Sequence, residues 1–507
     1  MSLDTRLEEA ARGLQRSVQH FEPGSVGAMS RRVRVRRVGY AVALALAVVV
    51  LGPVFYMAVL RGGHDVADEP TVPPTTAAPT TVTPPTVAPP ATTGDSTPAT
   101  SPPAGPEDLT WTRVPHDEAV FGDTGHGTVI ETLAAGSGRI LAAGTTGPAA
   151  RGWPDHRGTV WSAAELSSWL RGPDHEDEFG VAIDIDTVTY EFWDVAPVEG
   201  GWVVVGYTLE DEPVLPIWIS TDGSAWTRAS GDVLPGAVPR FTGVASIGGR
   251  VVAVGDADGD AGRSAAVWVS EDGGQTWSPA PDVESVFGGL AVEATGTLGG
   301  GALPVDVTAT PAGFVAVGID GSGGDWDAAV WTSPDGLTWS RVLHDEAAFG
   351  GPGAQAMTAV ETGGPGLVAV GYESLTPDES EPPMAADADR DGAVWVSVDG
   401  SIWARVPHDE AVFGGEGDQV ITGVASGPVG IVAVGRAADG DQASAAVWVS
   451  ADGSTWSRVA DDVSGGPNGA AMRDVIAVGD RFVAVGWAGV TGDLGTGTVG
   501  AVWLAAP

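Results

Sequence analysis

The sequence predicts an all-β, seven-bladed β-propeller. The prediction rests on two alternating repeats and on two complementary strands at the ends of the repeated region. An apolar segment that ends in Gly occurs seven times, and an aliphatic residue followed by Trp also occurs seven times. The two units alternate strictly, with a period of about 57 residues, which accommodates four strands and their loops. Such regular spacing of short apolar runs between Gly-rich turns is typical of radially repeated antiparallel sheets.

Both repeated units are short strands by their composition, because Val, Ile and Trp favour the half-buried surface of a sheet. The Gly-terminated segments are Ile140–Gly144, Trp202–Gly206, Val251–Gly255, Phe314–Gly318, Leu367–Gly371, Ile431–Gly435 and Phe482–Gly486. The Trp residues of the second unit are Trp161, Trp218, Trp268, Trp331, Trp395, Trp448 and Trp503. We expect them to form the second and third strands of each blade.

A third repeat follows the Trp unit and reads Ser-x-Asp, then Gly, then Trp. Residues 270–277 (SEDGGQTW) give its fullest form, and residues 163–169 are a decayed copy. The pattern resembles the Asp-box, or BNR, repeat of sialidase-like propellers. An Asp in such a turn accepts hydrogen bonds from backbone amides, and Gly supplies a left-handed backbone position. We therefore interpret the box aspartates as structural: Asp222, Asp272, Asp335, Asp399 and Asp452.

The two ends of the repeated region complement each other. Residues 500–504 (GAVWL) are a Trp strand with nothing after it, and residues 107–114 (EDLTWTRV) are a fourth strand with nothing before it. Pairing them would complete the seventh blade and remove two exposed sheet edges. We therefore assign residues 107–507 to a propeller that is closed by its N-terminal and C-terminal strands.

Three segments precede the propeller. Residues 1–37 contain eight Arg and an amphipathic pattern, and they predict a cytoplasmic leader with one helix. Residues 38–60 carry no charge and predict a transmembrane helix, because a helix of that length spans roughly 34 Å. Residues 61–106, rich in Pro and Thr, predict a disordered, extended linker. The expected location is a bacterial plasma membrane, crossed once, with the N-terminus cytoplasmic and the propeller outside.

The charge of the chain argues against nucleic-acid partners. The formal net charge is −41, and most of the 66 acidic residues follow position 106. A propeller with that charge repels phosphate backbones. The expected partners are the membrane, through one helix, and a glycan or a cationic protein.

Acidic loops between the second and third strands are candidate Ca²⁺ sites, although no cofactor is required by the sequence. Asp387, Asp389 and Asp391 have the alternating spacing of a calcium loop, and Asp256, Asp258 and Asp260 form a weaker version. The alternative is that these loops are simply charged and solvated. A His-Asp-Glu triplet also recurs, at His116, His344 and His408. Its recurrence favours a structural loop with an anchoring Phe, with repeated ligand or cation contacts as the alternative.

Segments that do not repeat are the best candidates for ligand binding. They contribute Arg151, Trp153, His156, Tyr190 and Trp193. No residue is assigned a catalytic role, because the arginine set and the tyrosine motif of the sialidase family are not found. We therefore expect a non-catalytic binding module held off the membrane by a stalk. The alternatives are a transmembrane sensor that signals through its N-terminal helix, and a sialidase-like glycoside hydrolase.

Overall fold

The computed structural model describes most of the chain from Gly105 onward. The described ranges are 105–122, 126–148, 157–172, 189–210, 214–234, 237–289, 292–293, 300–322, 326–374, 389–439, 442–459, 463, 468–492 and 495–507. The expected leader, transmembrane helix and linker lie outside them. None of the helices within these ranges has the length and apolar character needed to cross a membrane.

Seven sheets are arranged around an axis, and each is a blade with antiparallel strands A to D from the inside outward. The A strands are His126–Gly136, Thr189–Val198, Val238–Ile247, Ala302–Thr310, Gln355–Gly363, Asp418–Gly427 and Ala470–Val478. The B strands are Arg139–Pro148, Gly201–Leu209, Arg250–Gly259, Gly313–Asp320, Gly366–Ser374, Gly430–Asp439 and Arg481–Gly492. The C strands are Arg157–Glu165, Ile217–Ser220, Gly262–Ser270, Asp327–Ser333, Arg390–Ser397, Gln442–Ser450 and Gly495–Ala506.

The outermost strands are short. The D strands are Ser168–Arg171, Thr227–Arg228, Thr276–Pro279, Ser340–Arg341, Trp403–Arg405, Ser457–Arg458 and, in blade 7, Thr110–Arg113. Two further short strands, Ser230–Gly231 and Val292–Glu293, extend blade 3. A 3-10 turn at Pro106–Asp108 precedes the first strand, and the helical turns α1 (Glu118–Phe121), α2 (Val283–Phe287) and α3 (Glu346–Phe349) lie in D-to-A loops.

The two ends of the propeller close blade 7, as the sequence predicts. Thr110–Arg113 pairs antiparallel with Gly495–Ala506, and Trp111 lies opposite Ala505. Each inner strand contacts the inner strands of the neighbouring blades, including the first and the last. The chain is therefore a closed seven-bladed β-propeller.

The Gly that ends each apolar B-strand segment marks a β-bulge in the neighbouring A strand. In all seven blades the register shifts directly after the A-strand residue that pairs with this Gly. A Cβ on Gly206 would lie 1.9 Å from the carbonyl oxygen of Glu191, and one on Gly486 would lie 2.1 Å from that of Ala471. Only Gly allows the two backbones to approach so closely. The bulges turn the following A-strand side chains toward the axis.

Large apolar side chains fill the space between neighbouring blades. All seven C-strand Trp residues are at most 1% exposed, and the B-strand valines beside them are buried. Trp161 donates its indole N–H to the carbonyl of Val120 in α1, and Trp395 donates to that of Ala348 in α3. The loop that enters each of these blades is therefore anchored on the Trp of that blade.

Candidate functional site

The residues that follow the seven bulges form a ring at the propeller axis. The ring consists of Thr132, Asp194, Gly243, Asp306, Ala359, Gly423 and Asp474. Its three aspartates bond to the next blade: Asp194 accepts from the N–H of Val244 at 2.7 Å, and Asp306 from that of Val360 at 2.8 Å. Asp474 accepts from the N–H of Leu133 at 3.0 Å. These bonds link blades 2 to 3, 4 to 5, and 7 to 1.

The axial aspartates have pKa values above the ordinary range because they are withdrawn from water. Burial raises the pKa of Asp306 to about 6 and that of Asp474 to about 7, although backbone N–H donors oppose both shifts. The pKa of Asp194 lies well above its usual value, because of burial and then the negative charge of Asp306. The three carboxyls therefore interact across the axis.

Two glutamates and an aromatic pair lie at the end of the axis that faces the B-to-C and D-to-A loops. Glu131, the bulged residue of blade 1, lies with its Oε2 3.4 Å from Nε of Arg473 in blade 7. Burial raises the pKa of Glu131, Arg473 lowers it, and the charge of Glu191 in blade 2 raises it further. Glu131 and Glu191 are therefore electrostatically coupled, while 27% of the Glu131 side chain remains exposed.

Trp193 and Tyr207 form a flat aromatic surface beside Glu191. Their rings are nearly parallel, with 13° between the planes and 6.0 Å between centroids. The indole N–H of Trp193 donates to Oε2 of Glu191 at 3.1 Å. Both rings are half-buried.

Of the residues predicted to bind ligand, Trp193 lies at this axial mouth and Tyr190 does not. Tyr190 is 4% exposed and packs against Phe192 and Trp218 between blades 1 and 2. It is a core residue in this structure. Arg151, Trp153 and His156 lie outside the described residues. Glu131 and Glu191 were not singled out by sequence reasoning, because only the bulge register shows which A-strand side chains reach the axis. Tyr207, on the B strand opposite Glu191, was not singled out either.

The acidic loop of blade 3 contains an internal ion pair. Asp256 accepts a 2.8 Å hydrogen bond from Nε of Arg240, its register partner, and Arg263 approaches at 3.7 Å. Asp258 and Asp260 are exposed on the same loop. The protein's own arginines therefore supply positive charge to Asp256, where the sequence suggested Ca²⁺.

The second candidate calcium loop is described only in part. Asp387 lies outside the described residues, and Asp389 is exposed just before the C strand of blade 5. Asp391 lies in that strand, paired with Glu373, and is 2% exposed. Its Oδ2 faces Nε2 of His408 at 3.6 Å. A Ca²⁺ ion in this loop stays a prediction.

The box aspartates lie in turns between the C and D strands, on the face opposite the glutamate pair. Asp272 Oδ1 accepts from the N–H groups of Gln275 and Thr276 at 3.0 and 2.9 Å. Gly274, at a φ of 94°, accepts the indole N–H of Trp277 through its carbonyl. Backbone donors of this kind lower the pKa of Asp222 and of Asp335. The decayed copy in blade 1 retains the bond from Trp169 to the carbonyl of Leu166.

Comparison with known proteins finds similarity of fold but no sequence family. No family model matches the chain, and no curated protein matches it. An α-L-arabinofuranosidase from Fusarium graminearum is similar over 74% of this chain and 92% of its own, at 13% identity and a TM-score of 0.37. A glycosyl hydrolase from Bacteroides ovatus (76% and 85%, 10% identity, 0.32) and the phage phi92 endosialidase (78% and 69%, 10% identity, 0.40) are also similar.

These findings correct the sequence-based prediction of a non-catalytic binding module. The solved propellers named above are glycoside hydrolases or an endosialidase. That prediction rested on the missing tyrosine and arginine pattern of one hydrolase family, whereas many glycosidases use a pair of carboxyl groups instead.

Proposed function

We propose that this propeller is a glycoside hydrolase whose active site is the axial mouth, with Glu131 and Glu191 as its two carboxyl groups. One observation carries the proposal. Two coupled glutamates on adjacent inner strands occupy different environments: Glu131 has a raised pKa, and Glu191 accepts a hydrogen bond from Trp193. Glycosidases use such a pair, in which one carboxyl donates a proton and the other acts as an anion.

Glu131 is the proposed general acid. Its raised pKa keeps more of it protonated near neutral pH, so that it donates a proton to the glycosidic oxygen as the bond to the leaving group breaks. Glu191 is the proposed partner that stabilises or attacks the anomeric carbon. The Trp193–Tyr207 surface would stack against the sugar ring and orient it between the two carboxyls.

The proposal is tested with the full 507-residue chain and a panel of aryl glycosides that includes arabinofuranosides and sialosides. The Glu131→Gln and Glu191→Gln variants should each lose on the order of 100-fold or more in kcat/KM, because each removes one ionisable group. Glu271→Gln is the matched control, because Glu271 is exposed on a turn at the opposite face. It should retain full activity.

The pH profile supplies a second readout. In the parent chain the rate should fall on the alkaline side as Glu131 loses its proton, at a pH above that of an ordinary glutamate. This limb should be absent from any residual activity of Glu131→Gln. Absence of turnover across the panel, or turnover that both axial variants retain, refutes the proposal.

A further inference from the structure

We propose that Asp391, His408 and Glu410 form a binding site for a divalent transition metal, with Zn²⁺ as the expected ion. The site lies on the same face as the axial mouth but in blade 5 and the loop that leads to blade 6. It uses none of the residues of the proposed catalytic pair. The argument rests on the distances around His408, on the burial of Asp391, and on a comparison of the three His-Asp-Glu loops.

His408 lies between carboxylates on both sides of its ring. Its Nδ1 is 3.2 Å from Oε1 of Glu373, and its Nε2 is 3.3 Å from Oε2 of Glu410 and 3.6 Å from Oδ2 of Asp391. Glu373 also pairs with Arg405, which holds its carboxylate in place. Nε2 is also within hydrogen-bond distance of Glu410. A carboxylate beside Nδ1 favours the tautomer in which Nε2 carries the lone pair that a metal needs, as in many zinc sites.

The three atoms on the outer side of the ring have the spacing of a metal's ligands. His408 Nε2, Asp391 Oδ2 and Glu410 Oε2 all lie within 4.8 Å of one another. Ligands at the bond lengths usual for zinc, in a tetrahedron, stand roughly 3.4 Å apart. The two measured distances of 3.3 and 3.6 Å bracket that value. An imidazole among the ligands favours a transition metal over Ca²⁺.

Asp391 supplies the observation that points to a ligand. It is only 2% exposed, and its Oδ2 has no hydrogen-bond partner among the described residues. A buried carboxylate oxygen without a donor is costly, so a cation in front of it is favourable. On the outer side of the ring, the three ligand atoms lie close enough together for one metal ion to contact all of them.

The other two His-Asp-Glu loops, at His116 and His344, differ in the B-strand and C-strand residues that lie beside the histidine. In blade 7 the positions that match Glu373 and Asp391 are Ala488 and Val499, so His116 faces no such carboxylates. In blade 4 they are Asp320 and Asp327. His344 Nε2 lies 3.7 Å from Asp327 and 3.3 Å from Glu346.

The blade 4 loop is a second, weaker candidate. Asp320 bonds to Ser322 and pairs with Arg341. Within the described residues no carboxylate lies within ion-pair distance of Nδ1 of His344. We therefore expect tight zinc binding at His408, weaker binding at His344 and none at His116.

The test is zinc titration by calorimetry on the full chain, without a histidine tag and after treatment with a chelator. His408→Ala and Asp391→Asn should each weaken the tightest site by at least tenfold, and Glu373→Gln should weaken it by about 10–100-fold. His116→Ala is the matched control and should leave the affinity unchanged. A millimolar excess of Ca²⁺ should not displace the zinc.

X-ray absorption at the zinc edge of the 1:1 complex with the unmodified chain is a second test. It does not depend on whether the variants fold. The expected shell contains one imidazole and otherwise oxygen. Two or more imidazoles, tight binding that survives both His408→Ala and Asp391→Asn, a loss of affinity in His116→Ala, or no tight zinc site at all would each overturn the proposal.

Discussion

Gly423 shows how a single residue determines the packing at the axis. A Cβ there would lie 2.9 Å from Cα of Asp474 and 3.2 Å from the carbonyl oxygen of Arg473, both in the backbone of blade 7. Gly243 stands in the same relation to Asp306. Asp306 and Asp474 are thus accommodated where the preceding blade has a glycine, whereas Asp194 follows Thr132, whose hydroxyl donates to it at 2.9 Å.

Replacing this glycine should therefore destabilise the propeller. We expect Gly423→Ala to lower the free energy of unfolding by about 1–3 kcal/mol, because the backbone of blade 7 must shift to admit one methyl group. Thermal unfolding followed by tryptophan fluorescence measures the effect. Gly249→Ala is the control, since the nearest atom to its Cβ is 3.8 Å away. Equal melting temperatures for the two variants would contradict this account.

At the scale of the element, the Asp-box turn is stabilised by one carboxylate. Asp272 accepts two backbone N–H groups and the hydroxyls of Thr276 and Ser270. The turn faces solvent, so water replaces part of these bonds when the side chain is removed.

Asp272→Ala should accordingly cost about 1–2 kcal/mol of unfolding free energy, read from a denaturant titration. The neighbouring Glu271→Ala serves as the control, because Glu271 is 67% exposed and its only recorded partner among the described residues is Arg250. An exposed pair of that kind contributes roughly 0–1 kcal/mol. A smaller loss in Asp272→Ala than in Glu271→Ala would show that the box carboxylate does not hold the turn.

The strands were predictable from the sequence because their signal is local. Each B strand is a short apolar run, each C strand carries one Trp, and the strand at Thr110–Arg113 had no partner other than the last strand. The axial site was not predictable in the same way. Glu131 follows Ile130 in an ordinary alternating strand, and only the bulge opposite Gly144 turns it toward Arg473.

The carboxylates around His408 could not be predicted from local sequence either. The sequence identified the triplet at His408 but not the carboxylates that face it, because Glu373 lies 35 positions away on a neighbouring strand. Their proximity follows from the register between the B and C strands of blade 5. Spacing along one segment, as at residues 387–391, suggested calcium instead, whereas Asp391 faces His408.

For the whole molecule, two sets of carboxyls act on stability in opposite directions as pH changes. The box aspartates have lowered pKa values, so their contribution is present above the unfolded pKa and is lost as pH falls through the folded pKa. The axial aspartates have raised pKa values: about 6 for Asp306 and about 7 for Asp474. The pKa of Glu361, which burial and then the charges of Asp306 and Asp474 raise, is also about 7. The contribution of these carboxyls to stability is present below their pKa in the unfolded chain. It is lost as the pH rises to their pKa in the folded chain.

The melting temperature should therefore be highest near about pH 4–5 and fall as the pH rises to about 7, where the axial groups ionise inside the ring. The net charge of −41 adds repulsion in the same direction, so a fall alone does not identify the axis. Asp306→Asn separates the two causes, because it removes one buried titrating group and should flatten the fall between pH 5 and 7. Asp480→Asn removes the same charge from an exposed turn and should leave the slope unchanged. Parallel profiles for the two variants would assign the pH dependence to surface charge and not to the axial aspartates.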